Sequence, residues 1–147
     1  MLKNMPKIMT PELMSILMNM GHSDEITIVD AHFPGYSNAK RYYNAAGIRI
    51  PELLEAILYF LPLETSLFSE KSAFMMDVVP GDSMDENLNL EIESVFKKHN
   101  PDFRGIGKLD RMDFIERAKK SFAIIATGET RKYSNVIIIK GLAFPDL

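Results

Sequence analysis

The chain has three histidines and no cysteine, so imidazole is the one ordinary side chain here that changes charge near neutral pH. His22 follows Gly21 and precedes an apolar stretch. Two readings are open for it: a histidine sitting where a helix C-terminus favours a cation, or a general acid/base. Asp30 ends the segment EITIVD (25–30). Ligands gather at the carboxyl ends of strands in α/β sheets, and a carboxylate there can accept bonds from hydroxyl groups or act as a base. Asp also forms turns with nearby backbone, so Asp30 in Asp-Ala-His has a plain structural reading too. Arg111 stands before a helical pattern, where a guanidinium can donate several bonds to hydroxyls or a ring oxygen, or can be a surface charge. Tyr133-Ser134-Asn135 combines a flat apolar face, a phenol and an amide, which suits a carbohydrate but is also ordinary turn chemistry. His22 and His32 are a weak metal pair, ten residues apart in different contexts, and no metal is expected. Lys97, Lys98 and His99 read as a solvated helix end. By spacing alone these residues name no reaction.

Positioning them requires a framework, and the apolar periodicity supplies one. Thr10 suits an N-cap, Pro11 the first helical position and Gly21 the left-handed residue after the end. Leu13, Ile16, Leu17 and Met20 form one face between them. A strand follows at 25–30, then a stretch at 31–49 with Pro34, Gly35 and Gly47 that reads mostly as loop. Pro51 opens a second helix carrying Leu53, Leu54, Ile57, Leu58 and Leu61, and Pro62 stops it. A buried strand is expected at 73–79, a turn at PGDS (80–83) and a third helix at 85–99. A weaker strand near 104–109 precedes a fourth helix, announced by Asp113 and Glu116 at capping-box spacing and running to Lys120. Strands at 122–127 and 135–141 close the chain. Helices alternating with short apolar strands imply an α/β fold: one three-layer α/β/α domain over residues 1–147, its sheet covered on both faces. Strand order is not legible in such a pattern.

Composition narrows the partners. Seventeen basic against 20 acidic residues leave a net charge of −3, which disfavours a broad footprint for nucleic acid or anionic membrane. No run approaches the ~18 apolar residues of a membrane span. The N-terminus, broken by Pro6, Pro11 and Glu12, lacks the continuous core of a signal peptide. With zero cysteines the chain reads as soluble and cytoplasmic. No Walker loop, GxGxxG or HExxH occurs, so no cofactor is expected.

Several segments together resemble the fucose mutarotase/ribose pyranase family: MTPELMSILMNMGHSDEITIVDAHFP (9–34), GIRIPELLEAIL (47–58), DRMDFIERAKKSFAIIATGE (110–129) and KYSNVIIIKG (132–141). The resemblance covers nearly the whole chain in order. It implies a catalytic histidine at His22 in M-G-H-x-D-E and a substrate-binding aspartate at Asp30 in D-A-H-F-P. It also implies a binding arginine at Arg111 and a substrate segment at Tyr133, Ser134 and Asn135. Ser134 stands where the fucose type has glycine and could narrow the pocket, and Asp110 could pair with Arg111. His32 and the F-x-E-R-A helix are similar to the fucose branch rather than the ribose pyranases. The family's activity implies mutarotation of a free monosaccharide, L-fucose first, by acid/base ring opening and closure. A ribose pyranase or a sugar-binding module without turnover are the alternatives. The resemblance further implies a ring-like homodecamer with sites near subunit contacts.

Overall fold

The structure is a computed structural model describing residues 1–65 and 67–145. Ser66 and the last two residues of the expected 1–147 domain lie outside the described residues. Helix α1 spans Pro11–Asn19. Thr10 caps it, its Oγ1 accepting from the Leu13 backbone N–H at 3.1 Å, and Leu13 and Leu17 face inward. Its end differs from expectation. Gly21 is not left-handed; Met20 is already extended, and the Gly21 N–H donates to Asp24 Oδ2 at 2.7 Å. The left-handed residue is Ser23 (φ 68°), so a side-chain-braced turn, rather than a glycine cap, carries the chain into strand β1, Glu25–Val29.

The segment expected as loop contains a short helix, α2 (Gly35–Asn38), and a strand, β2 (Tyr42–Ala45). Then follow α3 (Ile50–Leu58), β3 (Ala73–Met76), α4 (Glu86–His99), β4 (Gly107–Leu109), α5 (Arg111–Lys120), β5 (Ala123–Thr127) and β6 (Val136–Ile139). Asp110, not Asp113, caps α5: its Oδ1 accepts from the Asp113 N–H at 2.8 Å. That places Arg111 at the first helical position. The Asp110 carboxylate is thus engaged by the helix, and among the described residues it forms no ion pair with Arg111.

The six strands form one mixed sheet in the order β2-β5-β1-β6-β3-β4. Strand β6 runs antiparallel to both neighbours, β1 and β3, whereas the β1–β5, β2–β5 and β3–β4 pairs are parallel. A single reversed strand therefore delivers the start of β6 to the carboxyl ends of β1 and β3. Period-two alternation splits the central strands between two cores. Ile26, Ile28, Ile125, Val136 and Ile138 pack with residues of α1, α3 and α4, among them Leu13, Ile57 and Phe96. On the opposite face Val29, Ile124 and Ile137 meet Phe114 and Ala118 of α5. The sheet is covered on both faces, as the alternation of elements implied. No helix among the described residues is long and apolar enough to cross a membrane.

Beyond β6 the chain is clamped by the segment that follows α3. Leu63 bridges Lys140, the Glu64 N–H donates to the Ile139 carbonyl at 3.0 Å, and the Gly141 N–H donates to the Pro62 carbonyl at 2.8 Å. Gly141 is required by this approach, since a Cβ there would lie 2.2 Å from the Leu63 carbonyl oxygen. Backbone on backbone cannot yield as a flexible side chain can. Gly141→Ala is expected to lower the stability by about 1–3 kcal/mol, read as a reduced urea midpoint at unchanged slope.

Candidate active site

A cavity of about 220 Å³ opens at the carboxyl ends of β1 and β3. That is below the ~300–1,000 Å³ of drug-sized pockets and suits a small ligand. Asp30 and His32 reach it from the turn after β1, Arg111 from the first turn of α5, and Tyr133 and Asn135 from the segment leading into β6. Met76, Val79 and Ile115 give it an apolar side. Five of the seven residues singled out in the sequence thus meet, although they are spread over more than a hundred positions.

Asp30 is the fixed point of this cluster. Only 3% of it is exposed, and its Oδ1 accepts two backbone N–H bonds, from His32 and Phe33, at 3.0 Å each. This is the turn chemistry expected of Asp, and it coexists with a place in the cavity wall. Burial pushes the Asp30 carboxyl above its ordinary value; the two N–H bonds, the nearby His32 and the Ser134 hydroxyl only partly oppose this. A carboxylate so placed is a stronger base than one in water. Asn135 ties β6 to it: its Oδ1 accepts from the Asp30 backbone N–H at 2.8 Å. No buried polar side-chain atom among the described residues lacks a partner, so the amide nitrogen of Asn135 is left to reach the cavity.

Tyr133 adopts a left-handed backbone (φ 63°), which for a residue with a Cβ costs about 1–3 kcal/mol. Its hydroxyl donates to Asp82 Oδ2 at 2.7 Å, and Lys132 pairs with the same carboxylate. Those two partners hold the Asp82 carboxyl down at about 2, and the bond to Asp82 raises the Tyr133 phenol in turn. Asp82 had only the signature of a turn residue in PGDS; nothing in the local pattern connects it with a tyrosine fifty-one positions on. Ser134 is fully buried and does not line the cavity. Its hydroxyl donates to the Arg131 carbonyl at 2.9 Å and lies 3.5 Å from Asp30 Oδ2, so it sits behind the aspartate rather than narrowing the space in front. The His32 Nε2 lies 3.0 Å from the Thr130 carbonyl, and the ring also borders a shallow depression beside Arg131 and Lys132.

His22 is elsewhere. It precedes β1 while Asp30 follows it, so a five-residue strand separates them, roughly 16 Å at ~3.3 Å per residue. There its Nε2 lies 2.7 Å from Oε2 of Glu64, whose side chain is 1% exposed, while the imidazole itself is 30% exposed. Its ring meets Phe68 edge-on at 4.7 Å. Glu64 was missed in the sequence because its 42-residue separation from His22 leaves no spacing signal. Within one chain, then, the acid/base candidate and the cavity do not meet.

A carboxylate, a guanidinium, an amide and a tyrosine at the strand ends of a mixed sheet, beside an apolar wall, define a binder of small polyhydroxyl molecules. The chain belongs to the RbsD / FucU transport protein family, which matches residues 3–143. It is similar to a fucose mutarotase of Danio rerio, 43% identical over 99% of this chain and 96% of that protein. It is also similar to an L-fucose mutarotase of Actinobacillus pleuropneumoniae, 37% identical over 97% of each. Among solved structures, the fucose mutarotase of Streptococcus pneumoniae in complex with L-fucose superposes with a TM-score of 0.91 at 41% identity, covering 97% of this chain and 100% of that one.

The raised Asp30 value makes a thermodynamic prediction. Between the ordinary aspartate range and the raised folded value the native state binds more protons than the unfolded state, so stability falls as pH rises through that window. Asp30→Asn, which keeps the Oδ1 acceptor, is expected to remove that fall. Urea midpoints measured across pH 3–7 check it (an order-of-magnitude window from about the usual carboxylate value upward), and a mutant as pH-dependent as the parent would contradict it.

Proposed function

We propose that this chain is an L-fucose mutarotase, an isomerase that interconverts the α and β anomers of the free sugar in the cytoplasm. The observation that carries the proposal is the convergence of Asp30, Arg111, Tyr133 and Asn135 on one small cavity with an apolar side. L-Fucose is a 6-deoxy sugar: its hydroxyls match the polar groups, and its methyl matches Met76, Val79 and Ile115.

Mutarotation breaks the bond between C1 and the ring oxygen and reforms it on the other face of the carbonyl. The ring oxygen must gain a proton while the anomeric hydroxyl loses one, and closure reverses both transfers. In the proposed mechanism Asp30, made more basic by burial, takes the hydroxyl proton. Arg111 stabilises charge developing on oxygen. Tyr133 and Asn135 orient the sugar, Asn135 through the amide nitrogen that its bond to Asp30 leaves available. His22 gives the ring oxygen its proton. Since β1 keeps His22 from the cavity of its own chain, the imidazole that serves each cavity comes from a neighbouring subunit. That arrangement fits the ring-like decamer which the family resemblance implies. Acid/base assistance of this kind supplies ~10²–10⁴-fold, and positioning adds more.

Exchange NMR on the anomeric C1 protons tests the activity, with fucose and ribose compared side by side. Accelerated exchange of fucose is expected; acceleration of ribose alone would point to a pyranase, and binding without acceleration to a module without turnover. His22→Gln should fold normally and lose ~10²–10⁴-fold in rate. The shared site has its own test. Oligomers co-assembled from equal amounts of His22→Gln and Arg111→Ala chains, each inactive alone, should recover activity in about one site in four, because each site draws on two copies. No recovery in verified mixed oligomers would mean that the site is not shared.

A further inference from the structure

The segment that carries Glu64 is built with more care than a surface loop needs. The clamp around Gly141 locks its backbone to the end of β6, and the carboxylate is sunk to 1% exposure. There it accepts two hydrogen bonds, Oε2 from the Ser23 hydroxyl at 3.0 Å and Oε1 from the Thr65 N–H at 2.9 Å, and Oε2 also lies 2.7 Å from His22 Nε2 at ion-pair distance. A buried carboxylate is costly unless its acceptors are filled, and here they are. The imidazole is held from a second side by the edge-on Phe68 ring, while part of it stays open to solvent.

This close approach distinguishes the two nitrogens of His22. With a carboxylate oxygen 2.7 Å from Nε2, the neutral imidazole is favoured with its hydrogen on Nε2, for a lone pair there would oppose the oxygen's own. Nδ1 is then the nitrogen with a free lone pair. Building on the mutarotase reading, we propose that Glu64 is the positioning residue of His22, holding Nε2–H so that Nδ1 exchanges the proton with the sugar. During ring opening the Nδ1 proton of the imidazolium passes to the ring oxygen as the C1–O bond breaks, and the anomeric hydroxyl gives its proton to Asp30. Closure returns both protons. Each cycle thus alternates imidazole and imidazolium, and the fixed negative charge of Glu64 stabilises the charged form without leaving its place, the role a buried carboxylate plays behind a catalytic histidine elsewhere. A carboxylate that merely braced the turn through Ser23 and Thr65 would have no need to face the ring.

Two variants of the assembled full-length protein test this. Glu64→Gln keeps the shape and an acceptor for Nε2–H but removes the charge; Glu64→Ala removes both. Solid-state ¹⁵N NMR of histidine-labelled protein, with His22 assigned by its loss in His22→Gln, reads the tautomer directly. The neutral ring is expected as Nε2–H in the parent and in Glu64→Gln, and as a tautomer mixture in Glu64→Ala. The fucose exchange rate at saturation should fall about 10–100-fold in Glu64→Gln, with KM within about twofold because the lost charge is felt through the imidazole. A parental Nδ1–H tautomer, or Glu64→Gln at the parental rate, would overturn the assignment. If the parent protein failed to accelerate fucose exchange, the mutarotase reading would fall, while the tautomer comparison would still decide whether Glu64 sets the ring.

Discussion

Strand β1 is hydrogen-bonded along both edges, to β5 and to β6, and is buried on both faces, so it can neither bend nor slip. It is also short, and chemistry sits at each end: the His22–Glu64 pair before it and the Asp30 turn after it. Every consideration of how this chain could act on a sugar follows from that rigid spacing. A flexible link would have let the imidazole fold back onto its own aspartate. A ladder of backbone bonds forbids it.

The second organising feature is the direction of β6. It alone runs against its neighbours, which brings Tyr133 and Asn135 beside the carboxyl ends of β1 and β3 instead of to the far edge of the sheet. The hydrogen bond from the Asp30 N–H to Asn135 then joins the two strands where the cavity begins. The two aspartates near the cavity are driven in opposite directions. Asp30, buried with neutral donors, is raised; Asp82, paired with Lys132 and Tyr133, is lowered to about 2. Burial biases the first toward its neutral form, while the second is held as an anion that anchors Tyr133 in its left-handed backbone.

The elements with strong local signals were legible in the chain as read. Thr10-Pro11 announced α1, the 3.6-residue rows announced α3 and α4, and the apolar runs announced β1, β3, β5 and β6. Where local chemistry was ambiguous the expectation slipped. Tyr42–Ala45 lacks alternation and becomes a strand because β5 offers it an edge. Gly21 looked like a helix stop, but Asp24 satisfies its N–H and Ser23 takes the left-handed turn. For α5, Asp113 accounted for the cap by spacing, whereas the structure uses Asp110, one turn earlier.

Sequence by itself determined the layered α/β class, most helix and strand positions, and the resemblance that singled out His22, Asp30, Arg111 and the Tyr133–Asn135 segment. These are local properties: side-chain period, capping chemistry and contiguous motifs are written within a few residues of one another. Tertiary structure alone decided that Asp30, Arg111 and Asn135 share a cavity while His22 does not, that Ser134 lies behind the aspartate, and that Glu64 and Asp82 hold the histidine and the tyrosine. Those facts depend on strand order and on the reversal of β6, which join residues 41 to 105 positions apart. Such pairings arise from how the sheet closes, and no short window of the chain encodes them.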